Sequence, residues 1–269
     1  MIRNAGMLVA LSATLALSAT LIPSASAAEA TAPASARPNP REEGARSLVL
    51  TYHVSPADRL AFRRAYEKGA LPLLKKLARA GKLHDYQVVW SRYVDAPGWT
   101  MMTFLTFAEP SGLANWRQVE ESMPGGLPDD ALSLVKSIET APADLMRESP
   151  STDKNLPGSV FLVVPYDYLI GTDDYVSYVD GYVLKQFDGW MAEKALTGYR
   201  FYVARYGAVR PWSAMILLEY RGEEGLASRD ATMAKVRARL KADPEWAALA
   251  ANKQNIRTER TPLIADPVN

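Results

Sequence analysis

Arg92 and Arg205 sit in two stretches that nearly repeat each other: YQVVWSRYVDAPGW from Tyr86 to Trp99 and YRFYVARYGAVRPW from Tyr199 to Trp212. Side chains alternate across an extended strand. Tyr86, Val88, Trp90 and Arg92 therefore share one face, and Tyr199, Phe201, Val203 and Arg205 share the equivalent one. An arginine closing an aromatic and apolar row needs a partner or water. Two readings are open. The guanidiniums sit at the rims of a cavity and clamp a carboxylate or enolate oxygen, or they form structural ion pairs. Glu219, inside the apolar run MILLEY, is either a general base or the salt-bridge partner of an arginine such as Arg205. His53 ends another apolar run, aligns with Tyr166, and is the better placed of two histidines to move a proton. Trp99 and Trp212 either wall an aromatic pocket or cover the end of a sheet. Tyr86, Tyr166 and Tyr199 complete the candidate ligand-binding set.

Other chemistries find little here. There are no cysteines, which removes thiol catalysis, thiolate metal sites and iron–sulfur clusters. No G-x-S-x-G elbow accompanies the histidines, and His84 reads as a turn residue between Lys82 and Asp85. Neither a Walker pattern nor GxGxxG occurs. Asp129-Asp130 and Asp173-Asp174 fall at expected helix starts, where the helix dipole explains them, so no metal is expected.

The elements that carry these residues occur twice. From Leu71 to Ala114 the chain matches itself at an offset of 113 without a gap, with 11 identities in 44 positions. Ordinary composition would give about 3 by chance. Each copy opens with a β-rich apolar run, Ser47–Val54 and Ser159–Leu169. A helix follows in each. The first starts after Ser55, is expected to reach about Ala80, and carries a kink or break at Pro72. Next come two strands joined through Asp95-Ala96-Pro97-Gly98 and Ala208-Val209-Arg210-Pro211 as antiparallel hairpins. A second helical region spans about residues 109–137 and 224–255. A short strand closes each copy, near residues 143–147 and 257–264. The order is β-α-β-β-α-β, twice, an α+β chain of two ferredoxin-like units. A four-stranded sheet with helices on one side leaves its other face bare, and the second copy is the natural cover.

This element order, the duplication and the aromatic hairpin resemble the dimeric α/β barrel superfamily, in the form of a tandem-duplicated, exported single-chain member. The resemblance covers about Ser47 to Ile264. It implies two units packing sheet to sheet as a pseudo-dimeric barrel, and a monomer or weak homo-oligomer. It also implies a cavity for a small aromatic or apolar molecule, converted without a cofactor in the manner of a monooxygenase or isomerase. Haem-binding relatives make haem the one cofactor to weigh. A non-catalytic ligand-binding or stress-response module is the other reading, because fold does not choose chemistry.

The chain has 31 basic and 30 acidic residues, so nothing global attracts nucleic acid or an anionic membrane. Its first 27 residues hold Arg3, an apolar run from Met7 to Ile22 and Ala25-Ser26-Ala27, which reads as a cleaved secretory signal. Residues 28–46 form a flexible leader, 47–147 the first repeat, 148–158 a linker and 159–269 the second repeat. N-terminal sequencing of protein recovered from the periplasm or medium should begin at Ala28. A chain still starting at Met1 would show that the segment is retained.

Overall fold

Hydrophobic alternation and turn chemistry place the first half's elements in this order: β1 (Ser47–Val54), α1 (Arg59–Lys68), α2 (Ala70–Arg79), β2 (Leu83–Ser91), β3 (Met101–Phe107), α3 (Gly112–Ser122), α4 (Asp129–Leu132) and β4 (Val135–Glu148). The second half has β5 (Val160–Tyr168), α5 (Thr172–Tyr178), a π-helical turn (Val179–Leu184), α6 (Lys185–Ala192), β6 (Leu196–Ala204), β7 (Ala214–Tyr220), α7 (Gly222–Ala227), α8 (Arg229–Leu240), α9 (Pro244–Ile256), β8 (Arg257–Glu259) and β9 (Leu263–Pro267). This computed structural model describes residues 46–94, 98–149 and 157–269. The signal, nearly all of the leader, most of the linker and most of the first hairpin turn lie outside the described residues.

Both hairpins repeat at the offset of 113 read from the sequence. β2 and β3 map onto β6 and β7 residue for residue, with matching register and a matching bulge, between Leu83 and Asp85 and between Leu196 and Gly198. The first strands do not follow that offset. Leu48, Leu50, Tyr52 and Val54 of β1 face the helices, as do Val160, Leu162, Val164 and Tyr166 of β5. Register against β3 and β7 sets their offset at 114, so Tyr52 corresponds to Tyr166, and His53 to Asp167.

The first helix breaks at Gly69, three residues before the expected proline. Pro72 instead occupies the first turn of α2, where its missing N–H costs nothing. After α3 the chain turns through Gly125 and Gly126, with φ of 63° and 71°, a region that favours glycine. The Gly125 carbonyl accepts the Tyr52 hydroxyl at 2.7 Å. β4 is far longer than the short strand expected. Its Ala- and Pro-containing sequence has weak strand propensity, and pairing on both edges overrides it.

That double pairing closes the barrel. β4 pairs with β1 of its own half and then with β6 of the other, over Ala143–Glu148. β9 does the reverse, pairing with β5 and with β2. The eight strands β1, β3, β2, β9, β5, β7, β6 and β4 thus form a continuous antiparallel ring. β8 and β9 together are the interrupted counterpart of β4. Three apolar cores result, one under each set of helices and one inside the ring, where Phe104 and Tyr202 stand 5.3 Å apart.

The two arginines seal the exchanged strands. The Arg205 N–H donates to Pro142 O at 2.8 Å, and its Nε donates to Asp144 Oδ1 at 2.9 Å. At the other seam the Arg92 N–H donates to Ile264 O at 3.0 Å and its Nη2 to Asp266 Oδ1 at 2.5 Å, with Glu223 at 2.7 Å. The seams differ in burial, since the Asp144 side chain is 0% exposed and that of Asp266 38%. Breaking a buried pair is costly, whereas exposed pairs contribute little. Arg205→Ala should therefore lose about 3 kcal/mol in chemical denaturation, and Arg92→Ala about 1 kcal/mol. Equal losses would contradict the burial difference.

Candidate functional site

One end of the ring is filled by side chains. Arg200, on the inner face of β6, is buried there, with Nη2 2.6 Å from Asp85 Oδ2 and Nη1 3.5 Å from Gln87 Oε1. Glu219 of β7 accepts from Ser159 Oγ at 2.7 Å and borders only a recess of about 10 Å3. In the first half, Ser47 Oγ lies 3.5 Å from the hydroxyl of Thr106, the residue equivalent to Glu219.

The other end is open. A cavity of about 480 Å3 lies there between the halves, in the size range of small-molecule sites. Trp99 and Trp212, equivalent at the offset of 113, both line it, as do Met102 and Met215, a second equivalent pair. The indoles and thioethers make this wall apolar and polarisable. The remaining wall is unequal. The first half contributes His53 from β1 and Glu139 from β4; the equivalent positions of the second half hold Asp167 and Thr261. His53 Nε2 lies 3.5 Å from Glu139 Oε1, within ion-pair range, and is buried without a hydrogen-bond partner among the described residues. Arg260, from the break between β8 and β9, stands at the mouth with Nε 2.7 Å from Asp167 Oδ2.

The candidate residues therefore separate. His53, Trp99 and Trp212 come together around the cavity. Glu219 is at the opposite end of the ring and shares no space with His53. Arg92 and Arg205 are on the outer face of the barrel, because their aspartates alternate with inward-facing Ala265, Ala143 and Leu145. They do not line the cavity. Tyr86 and Tyr199 point outward with Val88 and Phe201 into the helix-covered cores, where Tyr199 packs 5.3 Å from Phe187. Tyr166 is also outward, since its strand runs one residue off the assumed offset. The Arg257 guanidinium lies 4.2 Å from its ring. Glu139 and Arg260 were not anticipated. Reading S-I-E-T-A-P-A as a strand would have put Glu139 on one face with Ala141 and Ala143.

The donors do not fit haem. An axial ligand is most often a histidine. His84 is exposed on β2, and the Nε2 of His53 is turned to a carboxylate. No cluster of three or more His, Cys, Asp or Glu among the described residues is placed to hold a metal ion.

Solved structures share this architecture. A proposed monooxygenase from Lactobacillus acidophilus superimposes with a TM-score of 0.52 at 12% identity, covering 84% of this chain and 94% of that one. An anthrone oxidase-like protein gives 0.50 at 11%, over 86% and 94%. A mutant chlorite dismutase from Candidatus Nitrospira defluvii gives 0.50 at 10%, over 84% and 92%. No protein-family model and no curated relative matches the sequence. The chain thus has the dimeric α/β barrel fold, with both ferredoxin-like units in one polypeptide.

Inside the barrel, burial pushes the Tyr202 phenol up to about 12, against a smaller pull from the Arg200 cation. An unfolded tyrosine ionises near pH ~10. Above that pH the unfolded chain holds fewer protons than the folded one, so stability falls as pH rises from about 10 to 12. Tyr202→Phe should reduce this slope in urea titrations across that range. An unchanged slope would show that the phenol ionises freely in the folded protein.

Proposed function

We propose that the open end of the barrel binds a small aromatic or apolar organic molecule and transforms it by proton abstraction, in the manner of a cofactor-free monooxygenase or isomerase. One observation carries this reading: a cavity of about 480 Å3, walled by paired tryptophans, has an imidazole and a carboxylate on one side only. The solved structures described as a monooxygenase and as anthrone oxidase-like lend it support through the shared fold.

In this mechanism Trp99 and Trp212 hold a flat ring between them, with Met102 and Met215 adapting to its outline. The His53 imidazole takes a proton from an acidic C–H or O–H of the ligand. Glu139 stabilises the imidazolium that forms, its 3.5 Å separation closing once a ligand displaces water. The resulting anion is delocalised over the substrate ring. For an oxygenase, dioxygen is the second substrate; for an isomerase, His53 returns the proton to another carbon. The anion's charge falls near Arg260 at the mouth. The protein acts after export and removal of its first 27 residues.

Native mass spectrometry of exported protein should show a co-purified organic ligand. His53→Ala and Glu139→Gln should each lower turnover of phenolic polycyclic substrates, followed by oxygen uptake or by absorbance, with His53→Ala losing about 100-fold or more. Full turnover in His53→Ala would overturn the mechanism. A second reading, a binding-only module, is favoured by Asp167, tied to Arg260, and Thr261 standing where a symmetric site would repeat the acid–base pair. It predicts tight ligand binding, unchanged in both variants, and no turnover by the unmodified protein.

A further inference from the structure

The second half carries a feature for which the first has no counterpart. Two adjoining hollows, of about 350 and 590 Å3, share Tyr182, Arg237 and Lys253 and form one groove between α8, α9 and the π-helical turn. Helical spacing builds its walls. Arg237 and Lys241 lie four residues apart along α8 and its end, while Lys253 and Arg257 lie four apart at the end of α9. Ala247 and Ala250 keep the α9 side shallow.

The charge along this groove is unbalanced. Arg237 donates to the neutral amide of Gln186 at 2.7 Å. Among the described residues, Lys241 and Lys253 have no carboxylate in ion-pair range. The Arg257 guanidinium is spent on aromatic faces, 4.2 Å from the Tyr166 ring and 5.6 Å from that of Tyr178, and its Nη1 is buried without an acceptor. Glu259 is the one carboxylate lining either hollow among the described residues, and it accepts from the Tyr166 hydroxyl. Several other buried and half-buried arginines are ion-paired, as at Arg92, Arg147, Arg200 and Arg205. Helix C-termini favour nearby cations, but each terminus supplies only about half a charge. Four full positive charges along the groove, against Glu259 and two helix ends, therefore leave a positive surplus.

The backbone points to the same place. Val179–Leu184 is π-helical, a conformation that is rare and frequent at functional sites. The Tyr182 carbonyl accepts from both Trp246 Nε1 at 3.0 Å and Gln186 Nε2 at 3.1 Å, which pins the widened turn against α9. The same bonds hold Gln186 against Arg237.

From the convergence of Arg237, Lys241, Lys253 and Arg257 on a groove fixed by a π-turn, we infer a second binding site, for a phosphate-bearing molecule. Arginine supplies forked donors and lysine a movable point charge, a combination suited to a phosphate dianion. The site is separate from the barrel cavity and does not depend on the chemistry proposed there.

Calorimetric titration with phenyl phosphate and with inorganic phosphate, at fixed ionic strength set by sodium chloride, tests this. Saturable binding at one site is expected. Lys241→Gln with Lys253→Gln, both exposed and so harmless to folding, should weaken it about tenfold, and His53→Ala should leave it unchanged. Sedimentation with vesicles containing phosphatidic acid separates two sources of phosphate. Binding to vesicles but not to the soluble probes identifies a lipid headgroup; binding to the soluble probes identifies a free phosphate compound. Binding of neither, or affinity undiminished in the double variant, overturns the inference.

Discussion

Closure of the barrel depends on each half surrendering its last strand to the other. Neither β2 nor β6 has a second neighbour within its own half. Each edge would present unpaired backbone groups, and each is covered by the strand that arrives from the opposite copy. The Arg205–Asp144 and Arg92–Asp266 pairs fix these seams by charge-assisted hydrogen bonds next to the backbone contacts that they flank. The cavity is a consequence. β1 and β4, which carry His53 and Glu139, are held in register by the same strand that crosses into the second half. The acid–base pair, the twin tryptophans and the seams therefore form one mechanical system, although no arginine of the seams touches the cavity.

The duplication was legible because hairpin geometry is local. Alternation, Pro- and Gly-containing turns and the paired tryptophans place β2, β3, β6 and β7 without any tertiary information. β1 and β5 were legible as strands but not in their relative register. A one-residue slip moves every side chain to the other face, and this is what separated His53 from Tyr166. β4 was the least visible element. Its residues have little strand propensity, and its stability comes from neighbours distant in sequence. Glu139 went unseen for that reason. The arginines were visible as a recurring pair, but the sequence could not show that their partners, Asp144 and Asp266, come from the other copy.

Symmetry has been kept where packing needs it and lost where chemistry needs one of something. Trp99 and Trp212, and Met102 and Met215, remain matched because both walls meet the same apolar interior. His53 and Glu139 correspond to Asp167 and Thr261. At the filled end, Arg200 stands opposite its counterpart Gln87, and Glu219 matches Thr106. At Arg200 and Gln87, Glu219 and Thr106, and Glu139 and Thr261, one copy carries the charge and the other a neutral side chain. Two like charges close to the axis would repel in a low-dielectric interior, so a duplicated barrel gains from such divergence.

The strand exchange also bears on how the chain reaches its native state. Val89 pairs with Pro267, and Phe161 with Ala265, so β9, which is made after every other strand described, completes contacts with the first half. Such long-range pairing is slow, because loop-closure entropy is lost before the contacts that offset it form. Until β9 arrives, the β2 edge is open to any other strand, including the β9 of a second molecule. High concentration during refolding therefore favours interlocked dimers over monomers, with the same seams joining two chains instead of one.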